Sequence, residues 1–228
     1  MNLSVIIPAA GSGTRIGGII TKQFLELMGK PIIIHSLEKF QNNHHVTEII
    51  IATQKVYLEE IQKLCNRYNI NKVKHIIEGG ITRQQSIENC LTKINPNTEL
   101  ICVHDAVRPF ISGNVINDAI LTAKKFKAAV VAVPAKDTIK KVSKNKKIEE
   151  TLNRDLLWII QTPQIFNSKI LIKAYKNAKK KNIIGTDDSS LVEAIGIKPK
   201  IVVGEYENIK ITTKDDLDFA ELILNKIK

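Results

Sequence analysis

Two glycines and two cations follow the first apolar run of this sequence. Gly11 and Gly13 interrupt the stretch 8–15, and Arg15 and Lys22 add positive charge close to them. Glycine permits positive φ and lets backbone N–H groups approach a ligand, and guanidinium and ammonium groups bind phosphate. The spacing predicts a polyphosphate-binding loop. The alternative is a glycine-rich turn with no ligand.

Two common phosphate-binding patterns do not fit this loop. A dinucleotide fingerprint requires a third glycine where this chain has Ile16, and a Walker A loop requires Lys and Ser or Thr where Ile19 and Ile20 follow Gly18. The first mismatch argues against a nicotinamide-dependent dehydrogenase.

An acid and a base end the apolar run 100–103. Asp105 at a strand terminus is suited to hold Mg²⁺ against a phosphate; the alternatives are that it caps the next turn or pairs with Arg108. His104 is a candidate general base or a structural histidine.

A second glycine pair follows the run 73–77. Gly79 and Gly80 open the backbone, and Arg83 and Ser86 then fall on one helical face. Backbone groups of Gly80 and the Ser86 hydroxyl are candidates to bind a nucleotide base; the alternative is a helix N-terminus capped by Thr82.

Phosphate-binding residue types recur late in the chain, at Arg154, Thr162, Thr186 and Lys210. We interpret the polar segments that carry them, among them Gln161-Thr162-Pro163-Gln164, as loops beside strands or helix starts. Alternation with Ile209 and Ile211 predicts that Lys210 points away from the apolar face of a strand. The sequence has no Gly-x-Ser-x-Gly elbow, no cysteine beside a histidine and no metal-type histidine pair. Charge neutralisation and positioning remain, and these are what nucleotidyl transfer requires.

The overall charge invites a nucleic-acid interpretation. Lys+Arg 34 against Asp+Glu 23 give a net charge of +11, but aromatic residues make up only 5% and do not interleave with the lysine runs. We predict a small anionic partner and no nucleic acid; the alternative, a basic nucleic-acid-binding domain, rests on net charge alone.

The cysteines and the termini indicate the compartment. Cys65, Cys90 and Cys102 have no metal-type spacing, which predicts core residues in a reducing environment. No leader pattern is visible, and no apolar stretch approaches the roughly 20 residues of a membrane span. A cytoplasmic protein with no membrane association is expected.

Short β-branched runs alternate with helical patterns along the chain. Strands are predicted at 3–8, 48–52, 73–77, 100–103, 128–133 and 201–203, and helices at 31–40, 58–68, 83–91, 115–126, 170–180, 188–195 and 213–227. This alternation predicts one α/β domain over residues 1–228, with a mostly parallel twisted sheet and helices on both faces. Its ligands are expected beyond the carboxyl ends of the strands.

Residues 135–160 break the alternation and predict a protruding β-hairpin arm. A lone hairpin is marginal in water, so the arm must pack on something. We expect a second subunit; packing on its own domain is the alternative.

Taken together, these segments resemble a known family. Pro-Ala-Ala-Gly-Ser-Gly-Thr-Arg at 8–15, Lys22-Gln23-Phe24, His-Asp-Ala-Val-Arg-Pro at 104–109, Asn153-Arg154 with Trp158, Thr162-Pro163-Gln164 and Asn208-Ile209-Lys210 are similar to the signatures of the 2-C-methyl-D-erythritol 4-phosphate cytidylyltransferases. The related ribitol-5-phosphate cytidylyltransferases are the alternative. The resemblance implies a Rossmann-like nucleotidyltransferase fold, Mg²⁺, and a homodimer through the arm.

The resemblance also implies residue roles. Catalysis falls to Arg15, Lys22, Arg154 and Lys210. The nucleotide is bound by Pro8, Ala9, Ala10, Gly11, Ser12, Gly13, Gly79, Gly80, Arg83 and Ser86. The polyol phosphate is bound by Asp105, Ala106, Arg108, Thr138, Arg154, Thr162, Thr186 and Lys210, with Asp105 also at the metal. Ile81 stands where some members carry an acid, so an acid-mediated contact is absent there.

Overall fold

The structure is a computed structural model that describes residues 2–11 and 21–227. Its strands are β1 (Leu3–Pro8), β2 (Glu26–Leu27), β3 (Lys30–Pro31), β4 (Val46–Thr53), β5 (Val73–Glu78), β6 (Leu100–Val103), β7 (Ala128–Pro134), β8 (Lys140–Val142), β9 (Ile148–Thr151), β10 (Trp158–Asn167) and β11 (Lys200–Val203). Its helices are α1 (Ile32–Gln41), α2 (Leu58–Arg67), α3 (Arg83–Leu91), α4 (Gly113–Phe126), α5 (Ser168–Lys181), α6 (Asp188–Glu193) and α7 (Lys214–Ile227).

A seven-stranded sheet in the order β11-β7-β10-β6-β1-β4-β5 organises the chain. Strand β10 is antiparallel to its neighbours β6 and β7, while the remaining pairs in the sheet are parallel. The expected mostly parallel α/β sheet is therefore confirmed. Because β1, β5 and β6 run the same way, the loops that follow them open at one edge of the sheet.

The sequence patterns missed strand β10, because we interpreted Gln161-Thr162-Pro163-Gln164 as a loop. These residues lie inside the strand, where Gln161, Thr162 and Gln164 are buried. Polar side chains can be buried in a strand when they form hydrogen bonds inside the protein. Such a strand lacks the apolar pattern by which strands are recognised in a sequence. The pairing with β7 shifts register between Ile160 and Gln164, and the Thr162–Pro163 peptide bond is cis.

Helices cover both faces of the sheet, as the alternation predicts. Along β1, Val5 and Ile7 belong to the core beneath α1, α2 and α4, whereas Ile6 belongs to the core beneath α3, α5 and α6. This division follows from the two-residue period of a strand. The cysteines are buried and unpaired, also as expected. Across residues 2–11 and 21–227, no helix has the length and apolarity needed to cross a membrane.

The arm forms the predicted hairpin, in which β8 and β9 pair antiparallel. Every residue of these two strands is exposed. The predicted arm, 135–160, runs slightly too far, because Trp158, Ile159 and Ile160 already pair with β7 in the main sheet.

Candidate active site

Two adjoining clefts open at the carboxyl ends of the parallel strands. Arg83, Asp105 and Lys210 line both clefts. The first cleft is lined further by Pro8, Ala9, Ala10, Gly11, Lys22, Gln23, Gly80, Ile81, Thr82, Ser86, Ala106 and Val107. The second is lined further by Arg108, Ile160, Gln161, Thr162, Gln164, Thr186, Asp187, Ser189, Ser190 and Glu193. Residues that are distant in sequence thus meet around one central carboxylate.

Side-chain amides fix the loop that follows β1. Gln23, which is buried, donates from Nε2 to the Ala9 carbonyl at 2.8 Å, and Gln54 donates to the Ala10 carbonyl at 3.3 Å. Lys22 precedes Gln23 in a 3₁₀ turn, so the anchored amide also places the lysine beside this loop. Ser12, Gly13 and Arg15, which the sequence assigns to the same loop, lie outside the described residues.

The loop after β5 is closed by Ser86 and by a helix cap. The Gly80 N–H donates to Ser86 Oγ at 3.0 Å, and Thr82 forms a capping box with Gln85 at the start of α3. The cap that we considered as the alternative is therefore present. The Gly80 N–H and the Ser86 hydroxyl, which we predicted to bind a base, form hydrogen bonds inside their own loop instead. Gly79 does not line the cleft. A Cβ there would lie 2.4 Å from the Ala10 Cβ, so this glycine lets the loops after β1 and β5 approach each other.

Asp105 is the electrostatic centre of the site. Its carboxylate lies 3.2 Å from Arg83 Nε, 2.7 Å from Lys210 Nζ and 3.8 Å from Arg108 Nε. Burial alone would raise the pKa of the Asp105 carboxyl, but Arg83 and Lys210 outweigh burial and hold that pKa well below its usual value. The carboxyl is therefore ionised and carries its charge among three cations.

His104 is structural. It is fully buried, its Nε2 lies 3.0 Å from the Arg108 carbonyl oxygen, and its Nδ1 lies 3.1 Å from Thr162 Oγ1. The Thr162 oxygen also accepts from the Asp105 N–H at 3.1 Å. Burial lowers the pKa of the His104 imidazole to about 4, so the ring is neutral at pH 7. With both nitrogens bonded inside the protein, His104 orients the β6 terminus and is not placed as a general base.

Arg83 joins Asp105 to a second acid. Its Nη1 lies 2.9 Å from Asp188 Oδ2, and the Asp188 side chain is completely buried. Burial opposes the charge on the Arg83 guanidinium, but Asp188 and Asp105 outweigh burial and raise its pKa. Arg83 therefore stays charged at the junction of the clefts.

Strand β10 and the start of α6 form the wall of the second cleft. Gln164 donates to Asp187 Oδ2 at 2.8 Å and accepts from the Ser189 N–H at 2.9 Å. Asp187 also caps α6 by accepting from the Ser190 N–H at 2.9 Å. These bonds connect the segment that carries Thr186 to the central sheet.

Lys210 reaches the site in a different way from that predicted. Residues 208–213 form no strand, so alternation does not orient this side chain. Instead, Asn208 donates from Nδ2 to Gln161 Oε1 at 2.9 Å and to the Thr162 carbonyl at 3.0 Å, and the Ile211 N–H donates to the Val107 carbonyl at 2.9 Å. Contacts on both sides of Lys210 direct it towards Asp105.

Two predicted substrate-binding residues lie apart from both clefts. Thr138 and Arg154 are exposed on the arm, and Arg154 Nη1 donates to the Lys136 carbonyl at 2.8 Å. The remaining described candidates, apart from Gly79, line one cleft or both.

Several supporting residues were not among the predicted site residues. They are Gln23, Gln84, Gln161, Gln164, Asp187, Asp188 and Asn208, and their shared feature is a polar side chain at least half buried that holds a cleft residue or a loop. Many of them neighbour residues that we did single out. That proximity is the signal in the sequence, but it does not reveal their partners.

The residues lining the first cleft provide a limited set of metal ligands. Asp105 is the only acid among the described residues there. Within residues 2–11 and 21–227, no group of three or more His, Cys, Asp or Glu side chains could hold a metal ion. Mg²⁺ is commonly held by one or two carboxylates together with substrate phosphates and water. The donor set therefore fits a Mg²⁺ ion that arrives with a polyphosphate.

Comparison with known proteins gives consistent matches over nearly the whole chain. Residues 3–226 match the family model described as 2-C-methyl-D-erythritol 4-phosphate cytidylyltransferase (IspD). The protein with that description from Clostridioides difficile is 46% identical over 226 residues, covering 99% of this chain and 94% of the relative. This chain also resembles the crystal structure of 4-diphosphocytidyl-2C-methyl-D-erythritol synthase from Anaerococcus prevotii, with a TM-score of 0.87, 34% identity, and 98% and 96% of the two chains covered. The Francisella tularensis cytidylyltransferase structure matches with a TM-score of 0.82 and 36% identity, over 98% of this chain and 100% of its own.

Proposed function

Because this chain belongs to the family of 2-C-methyl-D-erythritol 4-phosphate cytidylyltransferases, we propose how its own residues carry out the reaction of that family. The enzyme transfers CMP from CTP to 2-C-methyl-D-erythritol 4-phosphate in the non-mevalonate pathway to isoprenoid precursors. Pyrophosphate leaves, and 4-CDP-2-C-methyl-D-erythritol forms. The ribitol alternative is not favoured, because the family match and the relatives above name the erythritol substrate.

One observation carries the assignment of the subsites: two clefts meet at Arg83, Asp105 and Lys210. A transfer between two phosphates needs both substrates side by side, with cations at the point where they meet. We assign CTP to the first cleft, because glycine-bearing loops and Lys22 line it. We assign the polyol phosphate to the second, because Arg108, Thr162 and Thr186 line that one.

In the first cleft, the backbone of residues 8–11 and the loop at Gly80 contact the nucleotide, and we assign Ser12 and Gly13 to the nucleotide from the sequence. Lys22, together with Arg15, neutralises the triphosphate. The buried Ser86 hydroxyl holds the second loop in shape through its bond to the Gly80 N–H. Arg83 contributes its charge from the junction of the clefts.

In the second cleft, Lys210 and Arg108 attract the phosphate of the polyol, and Asp105 accepts hydrogen bonds from the polyol hydroxyls. A phosphate oxygen attacks the α-phosphorus of CTP in line, and the bond from that phosphorus to the bridging oxygen of the pyrophosphate breaks. The attacking oxygen is already ionised at neutral pH, so the step requires no general base. This agrees with a neutral, internally bonded His104.

Asp105 is the residue we assign to Mg²⁺, with the remaining ligands coming from the triphosphate and water. When bound, the ion offsets negative charge on the transferring group. Removal of divalent ions with EDTA is expected to abolish pyrophosphate release, and excess Mg²⁺ to restore it. Full activity in EDTA would contradict this assignment.

The arm provides the support for a homodimer. Leu156 is 77% exposed, Ile148 65% and Ile159 53%, which leaves apolar side chains uncovered on the arm and at its base. Thr138 and Arg154 lie on the same projection, away from the clefts of their own chain. We assign them to the polyol-phosphate site of a second copy, so that two subunits complete each other's sites.

A cytoplasmic location is consistent with the chemistry of the side chains. Cys65, Cys90 and Cys102 are buried thiols with no disulfide, as expected in a reducing compartment.

The decisive experiment measures pyrophosphate release from CTP with each of two polyol phosphates. We expect rapid release with 2-C-methyl-D-erythritol 4-phosphate and little with ribitol 5-phosphate as the matched control. Turnover with the ribitol substrate alone would overturn the assignment. Release with neither substrate from a folded, Mg²⁺-supplied protein would argue against a cytidylyltransferase.

A further inference from the structure

A completely buried carboxylate outside both clefts contacts an arginine that lines both of them. Asp188 lies in the first turn of α6, and its side chain has no exposed area. Its Oδ1 accepts a hydrogen bond from the Tyr175 hydroxyl at 2.5 Å, and its Oδ2 lies 2.9 Å from Arg83 Nη1. The other end of the same guanidinium faces Asp105, with Nε 3.2 Å from Oδ1.

A buried ionised carboxylate is costly unless it has a partner, and apolar residues of similar size are often as good for stability. Asp188 is therefore poorly explained by stability alone. What it provides is a second fixed point for a planar group. A guanidinium held at both Nε and Nη1 cannot rotate freely about its long side chain, whereas Asp105 alone would hold one end.

The backbone around Asp188 is linked to the same turn of α3. Gln84, the next residue after Arg83, donates from Nε2 to the Ile183 carbonyl at 3.1 Å and accepts from the Gly185 N–H at 3.0 Å. Gly185 fits there because a Cβ would come within 2.6 Å of Ser190 Oγ. The segment that carries Thr186 is thus joined to the start of α3 by backbone and charge together.

We propose that Asp188 is a positioning residue for the transfer reaction. By holding the Arg83 guanidinium, it fixes the position of Asp105 and of the positive charge at the junction of the clefts. Tyr175 supports it by fixing the orientation of the carboxylate. The inference rests on the proposed function for Arg83 and Asp105 but assigns a role to a group that neither substrate touches.

The test is a double-mutant cycle of Asp188→Asn and Arg83→Ala, read in kcat and in KM for each substrate. Asparagine keeps the shape of the side chain but removes the charge that holds Arg83. We expect kcat to fall about 10²-fold, since small misplacement of a catalytic group has effects of this size. We expect each KM to change less than about tenfold. In the Arg83→Ala background, Asp188→Asn is expected to lower kcat no further, because the side chain through which Asp188 acts is already absent.

The outcomes separate this inference from its premise. If Arg83→Ala leaves kcat and both KM values unchanged, the proposed role of Arg83 fails, and the role of Asp188 fails with it. If Arg83→Ala is impaired but Asp188→Asn multiplies the loss in the double variant, Asp188 does not act through Arg83, and only the inference is overturned. A normal kcat for folded Asp188→Asn overturns it equally.

Two further variants cover the case in which Asp188→Asn does not fold. Tyr175→Phe keeps the ring in the core and removes only the hydroxyl, so we expect a kcat several-fold lower, with no further loss in the Arg83→Ala background. An unchanged kcat for Tyr175→Phe would overturn its supporting role. Glu48→Gln is the matched control for a buried acid: Glu48 accepts from Ser4 Oγ and the Asn95 N–H far from the clefts. It is expected to lower Tm without changing kcat per folded enzyme.

Discussion

The residues around Asp105 lie in a network of buried side chains, whereas Thr138 and Arg154 lie on an arm whose two strands are exposed throughout. Both regions supply proposed ligands for the polyol phosphate. In the first region, Asp188 holds Arg83, and the anchored Asn208 accepts from Arg108 and fixes the segment that carries Lys210, all before substrate arrives. Such preorganisation is the main source of electrostatic catalysis, because nothing must reorient during the reaction.

The arm offers no such preparation within one protomer. An isolated two-stranded hairpin is marginal in water, and the Arg154 guanidinium is held by a backbone carbonyl on its own arm. Under the proposed dimer, folding alone forms one half of the polyol subsite, and association of two subunits forms the other. Variants in the first half should therefore lose activity within their own subunit, whereas variants in the arm should lose the activity of the neighbouring subunit's site.

The largest effect is expected in the preorganised half. Lys210→Ala removes an ammonium that lies 2.7 Å from Asp105, and we expect kcat/KM to fall about 10²- to 10³-fold, the usual size for one electrostatic donor. Lys214→Ala, which removes an exposed lysine at the start of α7, is the matched control and should retain full activity. Equal kcat/KM values for the two variants would mean that the reaction does not use the Lys210 ammonium.

The second prediction concerns association. Arg154→Ala is expected to lower kcat/KM about 10²-fold as well. Mixed with Lys210→Ala protein and allowed to exchange subunits, it should recover about a quarter of the wild-type activity, since half of the dimers then hold one intact site.

The control for this mixture pairs Lys210→Ala with Lys22→Ala. Both changes lie in the region that carries the clefts, so each site of the mixed dimer keeps one defect, and no activity should return. If the Arg154→Ala mixture also stays inactive although its subunits exchange, the arm does not complete the site of its partner.

The same contrast explains what the sequence could predict. Six strands of the sheet were found because they are rich in β-branched apolar residues and lie between clear helical patterns. Strand β10 was missed because Gln161, Thr162 and Gln164 are polar and yet buried. Their hydrogen-bond partners come from loops far along the chain, so no local pattern identifies them as a strand.

The candidate site divides in a similar way. Asp105, Lys22 and Lys210 could be selected because charged residues beside strand ends and glycine loops suit phosphate chemistry. The pairing of Arg83 with Asp188 could not be predicted, because it depends on α3 and α6, which are far apart in the sequence, lying over the same face of the sheet. Lys210 was selected for the wrong reason: its direction comes from Asn208 and Ile211 rather than from strand alternation.

A third prediction uses pH to separate the buried region from the exposed one. The imidazole of His104 has a folded pKa of about 4, against about 6.5 for an unfolded chain. The unfolded state therefore binds the extra proton first. The stability that comes from a neutral His104 is complete above about pH 6.5 and is lost as the pH falls towards 4.

Between pH 7 and pH 5, this linkage should lower the free energy of unfolding by about 2 kcal/mol. Urea unfolding at both pH values measures it. The decrease should be smaller by about that amount in His104→Gln, while His75→Gln, at an exposed position on β5, should behave like the wild type. An identical decrease in all three proteins would show that His104 does not take up the proton on unfolding.

The smallest effect is expected where the arm joins the sheet. The Tyr206 hydroxyl donates to the Pro134 carbonyl at 2.7 Å, and Lys136 Nζ lies 3.5 Å from the centre of the Tyr206 ring. Tyr206→Phe removes the hydrogen bond and keeps the ring, so unfolding should become easier by no more than about 1 kcal/mol. Tyr206→Ala also removes the cation–π contact, which contributes about 0.5–1 kcal/mol at an exposed site.

The same variant has an expected kinetic effect. If the arm works only by reaching another subunit, Tyr206→Ala should raise KM for the polyol phosphate several-fold and leave KM for CTP unchanged, because only the orientation of the arm is disturbed. Steady-state kinetics with each substrate varied in turn measures both KM values. Equal increases in the two would mean that Tyr206 stabilises the main domain and does not orient the arm.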